Sequence, residues 1–345
     1  MPLTQTLQFL LDEAIHDQKV PGAVLYLGTL DRHYEIASGI ANQKKRRSIK
    51  PRDRFRIASI SKMFVATVVL QLHEEEELDL SDRLPDWLPE EMCDRLENSA
   101  RISIRHLLNH TSGLDDYLET EEFQEAAAAR DYKDIWTPQE AIRFAYDLES
   151  LNPPGEERCY SNTNYILLEL IVEAVTGNPL YVEMRDRILE PIGLKDTFTE
   201  ARETLPGDFV EGYEDLEEDG VQDCTSPLNF GAGLGDGGLI STARDVGKFA
   251  ETLFMTDDLL DEDSFDKMID WMEDGEGGFY GLGVNSWDTE EWGDVWGHAG
   301  GVEGYSSTLW HLPDEEMTVV VLTNDGDRAH PDDIVERVLE VVLRN

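Results

Sequence analysis

Ser59 and Lys62 stand three residues apart in the segment Phe55-Arg56-Ile57-Ala58-Ser59-Ile60-Ser61-Lys62-Met63-Phe64-Val65-Ala66, which reads as an extended end turning into a helix. Residues at that spacing share a helix face, so a hydroxyl and an amine can lie side by side. From Met63 to Leu72 the helix is apolar on nearly every side, the pattern of a helix buried at the centre of a protein. A desolvated amine loses much of its preference for the charged form and can take a serine proton, while the free amides of a first helical turn can hold an oxyanion. That is the chemistry of an activated serine. By itself the pair fits equally a serine that caps the helix and a lysine that points to water.

Two further groups bear on the choice. Cys159-Tyr160-Ser161-Asn162 lies about a hundred residues on, in a loop entering the apolar helix of Ile166, Leu167, Leu168 and Leu170. Side chains on such a loop are free to project into a cleft, although Asn162 alone also suits a helix cap. Near the C-terminus comes Trp296-Gly297-His298-Ala299-Gly300-Gly301-Val302-Glu303-Gly304-Tyr305. Glycines in or beside a strand mark a bulge or a place where something, a substrate among others, approaches the backbone closely.

The elements that must position these groups follow from periodicity. Thr4 to Gln18 is an amphipathic helix, and Gly22 to Thr29 with His33 to Ile40 form a hairpin about Leu30-Asp31-Arg32. Glu74 to Glu77 is the solvated end of the Ser59 helix. Helices are then expected at Ile104 to Leu108, Pro138 to Leu148, Asn162 to Val175 and Leu180 to Leu189. After a glycine-rich turn at Gly231 to Gly238 come helices at Thr242 to Leu253 and around Phe265 to Met272. Strands return at Gly281 to Trp287, Tyr305 to Leu312 and Met317 to Leu322, before a closing helix from Pro331 to Leu343. The pattern predicts an α/β sheet domain of residues 1–77 and 228–345, split by a mostly helical domain of residues 78–227.

The chain has 345 residues, ample for a large packed core. Its 73 acidic residues against 29 basic ones give a net charge of −44. Such a charge argues against nucleic acid and anionic membranes as partners. Self-repulsion on this scale is most tolerable in strong salt, where the Debye length falls to about 3 Å, so a halophilic source is expected. No stretch approaches the roughly 20 apolar residues of a membrane span, and Met1-Pro2-Leu3-Thr4-Gln5 lacks the basic and apolar regions of an export signal. Cys93, Cys159 and Cys224 are odd in number and widely spaced, which indicates neither a disulfide framework nor a zinc site and fits a reducing cytoplasm. The pattern specifies no oligomeric state.

The order SxxK, YxN and HxG, at these separations, resembles the three signatures of the penicillin-recognising serine hydrolases. The branch it is similar to contains class C β-lactamases, D-Ala-D-Ala carboxypeptidases of the same fold and β-lactamase-like esterases. Val20-Pro21-Gly22-Ala23, Leu107-Leu108-Asn109-His110-Thr111-Ser112-Gly113-Leu114, Pro153-Pro154-Gly155, Gly237-Gly238-Leu239-Ile240-Ser241-Thr242 and Tyr280-Gly281-Leu282-Gly283 extend the resemblance over almost the whole chain. It implies a β-lactamase/transpeptidase-like α/β (α+β) fold, an antiparallel sheet flanked by helices, with the site in a groove against a mostly helical domain. It also implies roles. Ser59 attacks a carbonyl to form an acyl-enzyme, Lys62 and Tyr160 share base and acid duties, and Asn162 holds Lys62 or the substrate amide. His298, Ala299, Gly300 and Gly301 would line the substrate, with the amides of Ser59 and Gly301 as oxyanion hole. No cofactor and no metal is expected.

One departure bears on substrate. Where lactamases of this branch look like KTG, this chain has His298-Ala299-Gly300, replacing an ammonium and a hydroxyl by an imidazole that is largely neutral near pH 7 and a methyl group. Grip on a substrate carboxylate should weaken. The expectation is therefore a carboxylesterase or D-amino-acid peptidase acting on a small ester or peptide, with β-lactamase or D-Ala-D-Ala carboxypeptidase activity as the alternative. A catalytically idle binding relative should have lost the serine, lysine or tyrosine, and all three are present. Gly233-Leu234-Gly235-Asp236-Gly237-Gly238 satisfies GxGxxG without the βαβ unit a dinucleotide site needs. His110 reads as a satisfied structural histidine, and Asn324-Asp325-Gly326-Asp327 and the Glu214 to Gly220 run lack EF-hand spacing.

Overall fold

The structure is a computed structural model that describes residues 2–130, 134–207, 209–215, 223–225, 233–275, 277–289 and 291–344. Its centre is a nine-stranded antiparallel sheet. We label its strands β1 (Gly22–Gly28), β2 (His33–Asn42), β3 (Arg47–Ser48), β4 (Met272–Glu273), β5 (Phe279–Tyr280), β6 (Asn285–Thr289), β7 (Gly293–Val302), β8 (Tyr305–Leu312) and β9 (Met317–Thr323). Their spatial order is β3-β2-β1-β9-β8-β7-β6-β5-β4. The first and last strands of the chain thus pair inside the sheet, where Leu25 lies opposite Val321.

Both central strands, β1 and β9, are buried along their whole length. Alternation explains why they are apolar at nearly every position, with Thr318 and Thr323 as exceptions, since each face of the sheet is covered. Leu25, Val319 and Val321 meet the helices α1 (Leu3–Gln18) and α5 (Pro331–Leu343) through Leu7, Leu11, Val335 and Leu339. Val24, Val320 and Leu322 join the larger core on the other face. That core includes α2 (Ser61–Glu74), α3 (Thr163–Thr176) and α4 (Ala243–Met255). Phe64 of α2 stacks on Phe249 of α4 with centroids 3.7 Å apart. Each such fully buried side chain contributes about 1.5–3 kcal/mol. Eleven of the fourteen residues of α2 are buried, so the helix that carries Lys62 sits at the centre of this core.

Several expected boundaries move. The expected strand Gly281 to Trp287 is a hairpin turn followed by β6: Tyr280 pairs with Asn285, and Gly283 takes φ of +82° between them. The helix placed at Phe265 to Met272 runs from Glu262 to Met268, because Asp261 accepts from the Ser264 amide at 2.8 Å and caps it earlier. Pro138 to Leu148 is helical only to Ala141 and then tightens into a 3₁₀ turn, Ile142–Ala145. A helix that the periodicity did not suggest, Glu121–Ala129, is capped by Thr120, whose hydroxyl accepts from Phe123 at 3.2 Å. The start of the glycine-rich turn at Gly231 and residues 216–220 of the Glu214 to Gly220 run lie outside the described residues.

Candidate active site

The nucleophile turn is held from three directions. Phe55–Arg56 pairs with Leu239–Ser241, which also pairs with Phe198–Thr199. The Ile57 amide donates to the Leu239 carbonyl at 3.1 Å, and the Leu239 amide donates to Ser61 Oγ at 3.2 Å. From β8, Ser307 Oγ donates to the Ile57 carbonyl at 3.0 Å. Ala58, just before the serine, has φ of +46°, a left-handed conformation that costs an alanine about 1 kcal/mol or more. Ser59 therefore sits in a strained 3₁₀ turn, Ala58–Ile60, ahead of α2 rather than inside its first regular turn.

Ser59 Oγ accepts from Lys62 Nζ at 3.0 Å and from Tyr160 Oη at 3.0 Å. Lys62 is fully buried, and its Nζ also donates to Asn162 Oδ1 at 2.8 Å and to the backbone carbonyl of Asp236. Tyr160 and Tyr165 present their rings 5.1 and 5.4 Å from the same nitrogen. The structure thus brings Ser59, Lys62, Tyr160 and Asn162 into one cluster. Asn162 does not cap α3 with its side chain, which is turned to the lysine instead.

The loop carrying Tyr160 is fixed by the Leu107 to Leu114 segment. The Cys159 amide donates to the His110 carbonyl at 2.9 Å, the Ser161 amide to His110 Nδ1 at 3.2 Å, and the His110 ring stacks on Tyr160 at 4.2 Å. His110 is not the fully satisfied histidine expected: with Nδ1 accepting, Nε2 carries the proton and has no hydrogen-bond partner among the described residues. Burial, then Lys62 and Arg158, hold its pKa well below the usual value, so the ring is neutral.

His298 lies on β7, opposite Leu309. Its Nδ1 donates to the Ala299 carbonyl at 2.5 Å, which leaves Nε2 to accept from Tyr280 Oη at 3.2 Å. Burial pushes its pKa down to about 3, with only the Ala299 hydrogen bond opposing, so it is a neutral group at this wall. Ala299 and Gly301 are exposed. Gly300 is required by close approach: a Cβ there would lie 2.6 Å from both the Ile57 carbonyl and Ser307 Oγ. A Cβ on Gly301 would meet nothing within 4 Å.

Two cavities meet at Ser59 and Gly301. One, of about 490 Å³, is lined by Tyr160, His298, Ala299, His330, Asp332 and Asp333. The other, of about 370 Å³, is lined by Leu118, Phe123 and Val302 and by Glu119, Asp236 and Glu303. Neither has a lysine or arginine among its described lining residues. The Arg158 guanidinium lies over the Tyr280 ring at 4.6 Å and lines neither.

Behind the lysine is a set of acids that lie outside the three sequence signatures. Asp116 Oδ2 accepts from both Nδ2 and the backbone amide of Asn162, at 2.7 and 3.0 Å. Asp236 Oδ2 accepts from the hydroxyl of the buried Tyr117 at 2.8 Å. Burial raises the Asp236 carboxyl to about 6 against the pull of Lys62. Glu169 of α3 accepts from the Gly235 amide at 2.8 Å, and burial raises it to about 8. The one visible signal was an acid inside an otherwise apolar run, Tyr165-Ile166-Leu167-Leu168-Glu169-Leu170.

A serine hydrogen-bonded to a buried amine and a phenol, beside a helix-covered antiparallel sheet, defines the penicillin-recognising class of serine hydrolase. The chain matches the Beta-lactamase family over residues 7–343 and belongs to it. It is 27% identical to penicillin-binding protein 4* of Bacillus subtilis (strain 168), over 98% of this chain and 75% of that protein. It is 28% identical to a D-aminopeptidase of Brucella anthropi over 89% of this chain, and spans about half (56%) of that longer protein. Among solved structures, a D-stereospecific amidohydrolase from Streptomyces sp. superposes with a TM-score of 0.86 at 29% identity, covering 96% of this chain and 97% of the other. A D-amino acid amidase from Ochrobactrum anthropi SV3, complexed with L-phenylalanine amide, gives 0.86 at 26% identity, covering 100% and 99%. The fold is the β-lactamase/transpeptidase-like arrangement, and the chain is a serine hydrolase.

Proposed function

We propose that this chain hydrolyses amides or esters of D-amino acids through an acyl-enzyme on Ser59, with substrates whose leaving group carries no carboxylate. The observation that carries the reading is the convergence of Lys62 Nζ and Tyr160 Oη on Ser59 Oγ, each at 3.0 Å. Lys62 accepts the serine proton as Oγ bonds to the substrate carbonyl carbon, and the carbonyl π electrons move to its oxygen. Collapse of this intermediate breaks the bond to the leaving nitrogen or oxygen, which takes a proton from Tyr160. Lys62 then returns its proton to Tyr160, and a water repeats the sequence to release the acid. The amides of Ser59 and Gly301 serve the oxyanion, at roughly 3 kcal/mol per donor in other enzymes.

Tyr160 divides the groove. As proton donor to the leaving group it assigns the cavity it lines to that group, and the other cavity to the acyl residue. On the leaving-group side a neutral His298 and the exposed Asp332 and Asp333 offer a carboxylate no counter-charge. On the acyl side the apolar Leu118, Phe123 and Val302 beside three acids suit an apolar side chain next to an ammonium, as in an aminoacyl group. Preference for the D configuration is supported by the amidase and amidohydrolase similarities.

The test is a panel: D- and L-phenylalanine amide, a short-chain nitrophenyl ester, a D-Ala-D-Ala peptide with a free carboxylate, and nitrocefin. The D-amide or the ester should exceed the carboxylate-bearing substrates in kcat/KM by about tenfold or more. Faster turnover of nitrocefin or the free-carboxylate peptide would replace this reading by a β-lactamase or carboxypeptidase.

A further inference from the structure

The hydrogen bonds around Lys62 account for every proton the amine can carry. As an ammonium it has three N–H groups, and three acceptors stand within reach: Ser59 Oγ, Asn162 Oδ1 and the Asp236 carbonyl. As a neutral amine it has two N–H groups and one lone pair. The Asp236 carbonyl can only accept, so it always holds one N–H. The second goes to Asn162 only if the carboxamide presents its oxygen. In that arrangement the lone pair has one direction left, towards Ser59 Oγ.

What presents the oxygen is Asp116. Its Oδ2 accepts from Asn162 Nδ2 at 2.7 Å and from the Asn162 backbone amide at 3.0 Å, while Oδ1 accepts from the Leu118 amide at 3.0 Å. Rotating the carboxamide by half a turn would set its oxygen against this carboxylate and its NH2 against Lys62, two repulsive contacts in a partly buried site. We infer that Asp116 is a positioning residue: through Asn162 it fixes the orientation of the Lys62 amine, so that the base addresses Ser59 in both of its protonation states without rearrangement. Only the proton between Nζ and Oγ then moves during attack, which is the preorganised condition for proton transfer. Asp116 itself touches neither Ser59 nor Lys62 in this network, and none of the three sequence signatures includes it.

The inference rests on Ser59 being the nucleophile, so the test reads that first. The rate constant for labelling Ser59 by a fluorophosphonate is measured for the wild type, Asp116→Ala, Asn162→Ala and the double variant, with thermal unfolding followed in parallel. Each single variant should slow labelling by about 10- to 100-fold. The double variant should be no slower than the slower single one by more than about threefold, because removing the intermediary removes the effect of what acts through it. Asp116→Asn, which keeps the shape but cannot accept from both Leu118 and Asn162, enters the same cycle should the alanine variant fail to fold. Losses that multiply in the double variant, or an Asp116 variant within about twofold of wild type, overturn the inference. A wild type that takes no label overturns the acyl-enzyme reading itself, and this inference with it.

Discussion

Replacing Glu169 by Gln should make the protein more stable at alkaline pH. Glu169 lies on α3 with its side chain in the core, and burial raises its carboxyl from 4.5 to about 8, against the Gly235 hydrogen bond and with Glu173 and Asp236 adding to the rise. Between those two values the folded protein holds a proton that the unfolded chain has released, so stability falls as pH rises through the window. At about 1.4 kcal/mol per unit, a gap of roughly three and a half units means on the order of 5 kcal/mol lost from pH 4.5 to 8. Glutamine keeps an oxygen for the Gly235 amide and removes the titration. The variant's advantage over wild type should therefore grow with pH. Urea unfolding at fixed high KCl, from pH 5 to 8.5, measures it. Stability curves for the two proteins that run parallel across the range would show that Glu169 does not titrate on unfolding in this window. The consequence reaches the site, because the turn that Glu169 holds at Gly235 also carries the Asp236 carbonyl bonded to Lys62.

Two glycines of β7 and the net charge offer further perturbations. Gly300→Ala places a Cβ 2.6 Å from the Ile57 carbonyl and 3.0 Å from Ala58 Cβ, so it should destabilise by about 1–3 kcal/mol and depress activity through the nucleophile turn. Gly301→Ala meets nothing within 4 Å, so its unfolding midpoint should stay near wild type while KM changes; equal thermal effects of the two would contradict the geometry. The net charge of −44 predicts that the thermal midpoint rises by several degrees, about 5 °C or more, between 0.2 and 3 M KCl. A midpoint indifferent to KCl would remove the halophilic expectation.

Much of the framework was legible because it is local. The turn of β1 into β2 and the bounds of β8 and α5 follow from alternation or helical periodicity, and the apolar all-round pattern of α2 marked its central burial. Glu121–Ala129 was not legible: its run of alanines has little apolar contrast, and it is held by the Thr120 cap and by Phe123 packing edge-on to Tyr117. Of the site, Ser59, Lys62, Tyr160 and Asn162 were visible as ordered motifs. Asp116, Asp236 and Glu169 were not, because their roles arise only where residues 62, 116, 162, 169 and 235–236 converge in space. Asp236 sat inside a glycine string whose only local reading was a nucleotide loop. The same turn instead supplies a carbonyl to the base.

Ser59 is an activated nucleophile in everything proposed above. Intact-mass and peptide mass spectrometry after reaction with a fluorophosphonate or a penicillin test it most directly. The expected result is a single adduct on Ser59, absent in Ser59→Ala, with loss of ester and amide turnover in that variant. A folded wild type without an adduct, or a Ser59→Ala variant that retains turnover, would contradict it.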